Sequence, residues 1–450
     1  MAGRRELDQP AAAHAALSRA YRAIMWLQST TATQRRALLA AYGGYGLDGF
    51  DFMIYSFIIP TLLSVWNISK AEAGYIASGA LITSAVGGWA AGVLADRFGR
   101  ARILQLTVLW FAAFTFLSGF TQSSGQLFFT RAMQGFGFGG EWSVGSVLVA
   151  EIIDARHRGK ATGLVQSSWS LGWAAAALTY WVVNSLAPPE LAWRIAFWLG
   201  LLPCVLVIYI RRKVPEPEIY QRMHAQREKQ GGASRGGEFL GIFRPPLLAT
   251  TVLATLLSTG MMGAYYSVTT WLPTFLTTER HLSVGGATGY LLMVIFGSLV
   301  GYLVSAWLAD ALGRRLGFIL FAGCAAALIL IYTRMPVAGG MLLIGFALGF
   351  FILGIFAGMG AYLAELFPSA VRGSGQGFTY SVGRGIGGFC PTLIGLLSIH
   401  FPLGDAIAGF SVAAYALVIV TAWVLPETRG RVLSAEDERA PHITERAVET

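Results

Sequence analysis

The chain has 450 residues, of which 55% are hydrophobic and 13% are charged, and its mean hydropathy is +0.57. This composition excludes an ordinary soluble protein and predicts a polytopic membrane protein embedded in a lipid bilayer. The formal net charge of +9 does not indicate nucleic-acid binding, because the basic residues lie in short segments between apolar runs, with no basic face or base-stacking module. The three cysteines lie in apolar runs and show no disulfide framework or metal-ligand spacing.

Apolar runs of about 20 residues, separated by charges or turn residues, predict an all-α membrane protein with twelve transmembrane helices. The first six are expected near residues 38–65, 72–95, 102–121, 125–152, 159–185 and 193–212. The second six are expected near residues 247–277, 285–309, 316–335, 338–365, 373–399 and 404–425. The predicted organisation is an N-terminal segment 1–37, a bundle 38–212, a basic linker 213–246, a bundle 247–425 and a tail 426–450.

Lysine and arginine accumulate on one side of the predicted membrane, in the N-terminal segment, the linker and alternate loops. Positively charged loops stay in the cytoplasm, so both termini and the linker are expected to be cytoplasmic, in a bacterial inner membrane. The expected functional unit is a monomer. Trp66 and Trp271, near predicted helix ends, fit an interfacial aromatic belt.

The two halves of the chain are related by an internal repeat. GVLADRFGRAR around Asp96 returns as AWLADALGRRL around Asp310, 214 positions later. The same offset relates three more pairs: Glu151 and Glu365, Arg158 and Arg372, and Gly159 and Gly373. Such a repeat predicts two pseudo-symmetric six-helix bundles with a binding site between them near the bilayer midplane.

The first helix carries two acids in an apolar run. Asp48, Asp51 and Tyr55 are spaced to share one helix face. An ionised carboxylate at the bilayer centre costs about 2.5 to 3.5 kcal/mol, so this face is expected to meet a polar interior and to accept a proton. The alternative is that the acids cap a kink at the neighbouring glycines or lie near the water interface.

The fourth helix carries Arg131 and Glu141, two further candidates for proton coupling. They are about 15 Å apart along the axis and therefore need partners from other helices. Asp48 or Asp51 is the available acid for Arg131, and protonation of that acid would release the arginine. The alternatives are that Arg131 binds backbone carbonyls at the cytoplasmic end and that Glu141 is a structural group beside Trp142.

Arg384, in the eleventh helix one turn after Tyr380, is the predicted substrate-binding residue. A guanidinium holds a carboxylate through two parallel hydrogen bonds, which lysine cannot match. Its alternative role is a salt bridge to Glu365 or Glu141. Five further residues are candidates for the cavity lining, with ordinary helix packing as the alternative for each: Gln134, Gln166, Trp169, Tyr265 and Tyr266. Tyr55 and Tyr380 complete the predicted substrate-binding residues.

Two glycine-rich stretches, 135–140 and 383–388, match the dinucleotide pattern G-x-G-x-x-G. Neither follows a strand, so nucleotide binding is not predicted, and the glycines are expected to let helices approach closely. No paired nucleophile and base, metal cluster or cofactor motif is present, so an enzyme is not expected. The only expected coupling species is the proton.

Several motifs together resemble the major facilitator superfamily. They are G-x-L-A-D-R-x-G-R at residues 92–100, RAMQGFGFGGEW at 131–142, Pro-Glu at 215–216 and Pro-Glu-Thr at 426–428. LDGFDF and GFGGEW look like the bacterial proton symporters for organic acids such as sialate, aromatic acids and lactate. The resemblance implies the major facilitator fold and a proton-coupling role for Arg131. Together with the repeat, it also places the face of Asp48 and Asp51 on the seam between the two bundles, opposite Arg384. The fifth helix lacks the proline motif of the drug/proton antiporters, and Ala306 and Ala311 depart from the loop signature.

The resemblance also implies a cytoplasmic gate. Asp96 would cap a neighbouring helix, while Arg97 and Arg100 would pair with Glu151 or Asp154. The other gate candidates in the two halves are Arg158, Asp310, Arg314, Glu365 and Arg372. The alternative is a plain folding role for this loop.

The sequence therefore favours a proton-coupled importer of a small organic anion that works by alternating access. A uniporter, symporter or antiporter of a neutral sugar or a cation is the first alternative, with Arg384 as a structural salt-bridge partner. A membrane sensor that signals through residues 213–246 is the second, and no signalling domain supports it.

Overall fold

The computed structural model describes residues 30–153, 158–202, 204, 240–368 and 371–429. These residues form twelve helices, which confirms the predicted all-α architecture. The first six are α1 (Ala32–Val65), α2 (Lys70–Phe98), α3 (Arg100–Ser118), α4 (Ser124–Ile152), α5 (Arg158–Leu186) and α6 (Pro189–Trp198), the last continued by a 3-10 turn, Leu199–Leu201. After a short 3-10 helix, Leu240–Phe243, come α7 (Leu247–Thr278), α8 (Val284–Leu312), α9 (Arg314–Arg334), α10 (Gly339–Leu366), α11 (Arg372–Gly387 and Cys390–Leu397) and α12 (Leu403–Val424).

The starts of α1 and α2 are set by capping boxes. The Thr31 hydroxyl accepts from the Gln34 backbone N–H, and the Gln34 side chain accepts from the Thr31 N–H in return. Ser69 and Glu72 make the same pair of bonds at the start of α2. These caps satisfy backbone N–H groups that have no partner within the helix. Helix α1 therefore begins at Ala32, earlier than the apolar run alone predicts.

Helices α10 and α11 are interrupted, although the sequence predicts each as continuous. The middle of α10, Ile355–Gly358, winds as a 3-10 helix. Helix α11 breaks between Gly387 and Cys390. Two glycines precede that break, and Pro391 follows it without an N–H to continue the helical bonding.

Seven of the described helices are long and apolar enough to cross a membrane: α1, α2, α7, α8, α9, α10 and α12. Large apolar side chains such as Leu106, Leu343 and Trp423 are exposed on the outside of the bundles, where lipid would solvate them. Trp271 is fully buried and its indole N–H donates to the Pro391 carbonyl at 3.1 Å. Its predicted place in an interfacial belt is therefore wrong, because it connects α7 to α11 inside the protein.

The repeat is visible in how the helices cross. A Cβ added to Gly135 in α4 would lie 2.0 Å from the Ala80 carbonyl oxygen in α2. A Cβ added to Gly349 in α10 would lie 1.8 Å from the Val294 carbonyl oxygen in α8. Gly349 and Val294 are each 214 positions after Gly135 and Ala80. A second pair of crossings obeys the same offset: Gly87 with Phe136, and Gly301 with Phe350. The two bundles thus use the same glycines to bring equivalent helices into backbone contact.

The two bundles meet along α2 with α11, α5 with α8, and α1 with α7. Near the start of α2, the Thr392 hydroxyl donates to the Ser78 hydroxyl at 2.8 Å. Further along the interface, the hydroxyls of Ser170 and Ser298 lie 2.8 Å apart. The contact of Ser78 with Thr392 closes the bundles against each other toward the end of the molecule where α1 ends and α2 begins, whereas Ser170 and Ser298 meet halfway along α5 and α8.

Candidate functional site

Arg384 lies in the interior between the two bundles, with 5% of its surface exposed. Its Nη2 donates to the Tyr380 hydroxyl at 3.2 Å, and its guanidinium carbon lies 5.0 Å from the Tyr380 ring centre and 5.1 Å from that of Phe138. Within the described part of the chain, no carboxylate forms an ion pair with Arg384, and its Nε makes no hydrogen bond. A buried cation without an anion is costly, so this position favours a bound anion.

The alternative salt bridge between Arg384 and Glu365 is wrong. Glu365 instead accepts hydrogen bonds from Arg314, with Nε at 3.3 Å and Nη2 at 3.2 Å, and from the Thr428 hydroxyl at 2.5 Å. Both oxygens of Glu365 are therefore bound by Arg314 and Thr428. The other proposed partner, Glu141, lies outside the described side chains.

Five aromatic rings pack against one another next to Arg384, and we call them the aromatic cage: Tyr45, Phe52, Phe138, Trp169 and Tyr266. Phe52 lies 5.5 Å from Phe138, 5.9 Å from Trp169 and 5.8 Å from Tyr266, measured between ring centres. Tyr45 lies 5.2 Å from Trp169. The rings belong to α1, α4, α5 and α7, so both bundles contribute. Their flat faces suit stacking with a planar apolar group.

A hydrogen bond joins the bundles beside the cage. The Trp169 indole N–H donates to the Tyr265 hydroxyl at 2.7 Å. Tyr265 in turn packs edge-on against Phe356, at 5.5 Å, in the 3-10 segment of α10. The interruption in α10 therefore lies next to the cage.

The structure brings most of the predicted lining residues together. Trp169, Tyr265, Tyr266 and Tyr380 all lie at or beside the cage. Gln166 is half-buried and its Oε1 has no hydrogen-bond partner among the described residues.

Three cage residues were not among the predicted site residues: Tyr45, Phe52 and Phe138. Phe52 and Phe138 lie within the motifs LDGFDF and GFGFGG, and Phe138 follows Arg131 by two helical turns on the same face. That spacing is the signal by which Phe138 can be found. Aromatic residues are otherwise too common in membrane helices to be singled out.

Asp51 and Arg131 form a second buried cluster. The Thr115 hydroxyl donates to Asp51 Oδ2 at 3.2 Å, while Asp51 Oδ1 has no partner in the described structure. Arg131 Nη1 donates to the Asp51 backbone carbonyl at 3.5 Å, and its guanidinium carbon lies 5.0 Å from the Tyr55 ring centre. Acid and base are thus adjacent without a direct ion pair between their charged groups. Protonation of Asp51 would change the charge beside Arg131 without breaking a salt bridge.

The expectation that Asp51 faces the seam opposite Arg384 is wrong. Its carboxylate neighbours Thr115 in α3 and Gly200 in the turn after α6, where an added Cβ would lie 3.1 Å from Oδ1. All these groups belong to the first bundle. Tyr55, predicted to bind substrate, also lies in this cluster, and its hydroxyl donates to the Ala73 carbonyl at 2.9 Å. Asp48 is fully buried and lies within electrostatic range of Tyr45, a ring of the cage.

Of the predicted gate residues, the structure describes the side chains of three, all in the second half of the chain: Arg314, Glu365 and Arg372. Besides the Arg314 to Glu365 pair, Arg372 Nε donates to the Ala364 carbonyl at 3.0 Å. Seven of the predicted site residues have side chains that the structure does not describe: Asp96, Arg97, Arg100, Glu141, Glu151, Arg158 and Asp310. Asp154 and most of the linker 213–246 lie outside the described residues as well. The described residues contain no cluster of three potential metal ligands.

Comparisons with known proteins agree with this architecture. Residues 41–390 match the family described as the Major Facilitator Superfamily. The chain is 39% identical over 418 residues to a probable 4-methylmuconolactone transporter of Cupriavidus pinatubonensis, covering 93% of this chain and 96% of that protein. It is 30% identical over 418 residues to a niacin transporter of Acinetobacter baylyi, covering 87% of this chain and 94% of that protein.

Among solved structures, a partially occluded, inward-open structure of the Escherichia coli xylose transporter superposes with a TM-score of 0.72. The match covers 90% of this chain and 100% of that one at 18% identity, so it supports the fold alone. The family match, the relatives and the repeated six-helix bundles lead to one conclusion. The chain is a multi-pass transporter that belongs to the Major Facilitator Superfamily.

Proposed function

We propose that this protein imports a ring-shaped organic acid anion together with a proton, by alternating access. The observation that carries the proposal is Arg384, a buried guanidinium without an acidic partner among the described residues, which contacts one aromatic ring from each bundle, Phe138 and Tyr380. A carboxylate would neutralise the arginine through two hydrogen bonds, and a planar ring would stack in the cage. The names of the relatives, which include niacin and 4-methylmuconolactone, agree with such a substrate.

Proton coupling is proposed for the Asp51 and Arg131 cluster. Asp51 is next to Phe52 in the chain, so one turn of α1 carries both the proposed proton acceptor and a cage ring. A shift of α1 on protonation would therefore move the cage. A monocarboxylate that crosses with one proton is electrically neutral, and one pH unit would support roughly a tenfold substrate gradient. Asp48, near Tyr45, is the second candidate acceptor.

The alternating step is proposed as rocking of one bundle against the other. The contact of Ser78 with Thr392 would act as the outer closure, given the expected cytoplasmic termini, and the contact of Ser170 with Ser298 would hold the bundles together halfway along α5 and α8. The Arg314 to Glu365 pair and its repeat-related residues would act as the inner gate. Several such contacts together would bias the equilibrium between the conformations without locking it.

Replacement of Arg384 tests the substrate class. Arg384→Lys keeps the charge but loses the paired hydrogen-bonding geometry, so the affinity for niacin or a similar ring carboxylate should fall at least roughly tenfold. Arg334→Lys is the matched control, because Arg334 is exposed and pairs with Asp405 on the surface. The measurement is calorimetric binding to the purified protein, with uptake into liposomes as the second readout.

A neutral sugar remains the alternative substrate class, and the same assay separates it from the acid. Binding of a sugar, no competition by ring acids and an unchanged affinity in Arg384→Lys would reject the proposal. Binding of the acid in wild type, weakened in Arg384→Lys and preserved in Arg334→Lys, would support it.

A further inference from the structure

Gln134 is an unusual buried residue of the fourth helix. It is 1% exposed, and neither its amide nitrogen nor its amide oxygen has a hydrogen-bond partner among the described residues. A buried amide that makes no hydrogen bonds destabilises a protein. A water molecule or a bound substrate can therefore complete the hydrogen bonds of this amide.

The position of Gln134 links the two clusters of the site. Arg131, Gln134 and Phe138 follow at spacings of three and four residues and therefore share one face of α4. Along the axis, Gln134 lies roughly 4.5 Å from Arg131 and roughly 6 Å from Phe138, at 1.5 Å per residue. Phe138 contacts Arg384, and Arg131 belongs to the Asp51 cluster. Gln134 is thus about one ring length along the helix from the ring that contacts Arg384.

We propose that Gln134 is a specificity-determining residue that hydrogen-bonds a second polar group of the substrate, located across the ring from the carboxylate. The inference rests on the proposed function, in which Arg384 holds the carboxylate. An amide both donates and accepts, so it matches a ring hydroxyl, which also does both. A ring acid without such a group would leave both amide atoms of Gln134 unpaired on binding. The preferred substrates are therefore ring monocarboxylates with a hydroxyl or carbonyl opposite the carboxylate.

Isothermal titration of the purified full chain with benzoate and its 2-hydroxy and 4-hydroxy derivatives tests this role. Wild type should bind 4-hydroxybenzoate about tenfold to a hundredfold more tightly than benzoate, because a site built for a hydroxyl rejects the analogue that lacks it. The 2-hydroxy derivative, whose hydroxyl lies beside the carboxylate, should gain no such preference. In Gln134→Leu, the affinities for benzoate and 4-hydroxybenzoate should become equal, mainly through weaker binding of 4-hydroxybenzoate.

Thermal unfolding without ligand distinguishes a binding role from a structural one. Replacing an unpaired buried amide by an apolar side chain should leave the unfolding temperature of Gln134→Leu unchanged or raise it. Gln134→Met serves as a second variant, with an unbranched side chain in place of leucine. Gln126→Leu, an exposed position of the same helix, is the control and should keep the wild-type preference for the 4-hydroxy acid.

The outcomes separate this inference from the proposed function. If both Gln134 variants kept the wild-type preference for 4-hydroxybenzoate over benzoate, the proposed role of Gln134 would be overturned. Equal binding of the two acids by wild type would overturn it as well. With either of these outcomes, the proposed function would still stand if wild type binds ring acids and Arg384→Lys binds them more weakly. Failure of every ring acid to bind wild type would overturn both proposals together.

Discussion

The guanidinium carbon of Arg384 lies 5.1 Å from the ring centre of Phe138, so a cation of the second bundle rests directly against an aromatic ring of the first. Any rotation of one bundle relative to the other would change this contact. A substrate that binds at Arg384 and Phe138 would therefore bind the two conformations of the protein with different affinities. Its binding would shift the equilibrium between them. This relationship ties the binding site to the motion that transport requires.

Asp51→Asn should abolish proton-driven accumulation while preserving exchange of labelled for unlabelled substrate. The amide is close in shape to the acid and can still accept from Thr115, which donates to Asp51 Oδ2 at 3.2 Å, but it cannot take up a proton. Accumulation should fall from about tenfold per pH unit to none. Uptake and exchange are measured in liposomes with an imposed pH gradient.

Asp405→Asn is the matched control for Asp51→Asn. Asp405 lies at the start of α12, with 52% of its side chain exposed and in contact with Arg334. Its replacement should leave uptake at the wild-type level. Uphill accumulation that survives in both Asp51→Asn and Asp48→Asn would reject the carboxylates of α1 as the proton acceptors.

A disulfide between positions 170 and 298 should lock the bundles in the arrangement seen here. The hydroxyls of Ser170 and Ser298 lie 2.8 Å apart, so sulfur atoms at both positions would come within bonding reach. In a background without the native cysteines, the double variant Ser170→Cys and Ser298→Cys should lose nearly all transport on oxidation. Reduction should restore it.

The single variants Ser170→Cys and Ser298→Cys control for the substitutions themselves and should respond to neither oxidant nor reductant. The crosslink is verified by the altered mobility of a chain cleaved between the two positions. Full transport by the oxidised, crosslinked protein would show that this interface does not open during the cycle.

Gly313→Ala should destabilise the protein by about 1 to 3 kcal/mol, because its backbone region is open almost only to glycine. Gly313 has φ +93° and ψ 163°, and an added Cβ would lie 2.8 Å from Glu427 Oε2. Glu427 accepts from the backbone N–H groups of Arg314 and Arg315 and so caps the start of α9. The thermal unfolding midpoint gives the readout.

Gly323→Ala, within the same helix α9, is the control for Gly313→Ala. No atom lies within 4 Å of a Cβ added there, so alanine should be neutral or stabilise by about 0.5 to 1 kcal/mol. Equal effects of the two substitutions would show that the backbone conformation and the contact with Glu427 do not matter at Gly313.

Much of the fold follows from patterns that a sequence displays directly. Apolar runs predict the twelve helices, and the offset of 214 predicts that Gly135 and Gly349 make equivalent crossings. The turn before α3 also matches the turn before α9, with φ +107° at Gly99 and +93° at Gly313. Hydrophobic length and repeated motifs are local properties of the chain, so they need no knowledge of tertiary contacts.

The site was harder to predict because helical spacing gives a face but not the helix that this face meets. The spacing and the repeat predict Asp51 at the seam between the bundles, yet its carboxylate faces into the first bundle, toward Thr115. Trp271 shows the same problem, since a tryptophan near a helix end serves equally at a lipid interface or in a contact between helices. The breaks in α10 and α11 also depend on neighbours, because glycines permit an interruption without requiring one.

The central claim is that a proton gradient drives the accumulation of an organic acid through this protein. The most direct measurement is uptake of a labelled ring carboxylate into liposomes with an inward gradient of one pH unit, with and without a protonophore. Coupled transport predicts accumulation up to roughly tenfold above the outside concentration, and loss of that accumulation once the protonophore collapses the gradient. Accumulation that is the same with and without the protonophore would contradict the claim.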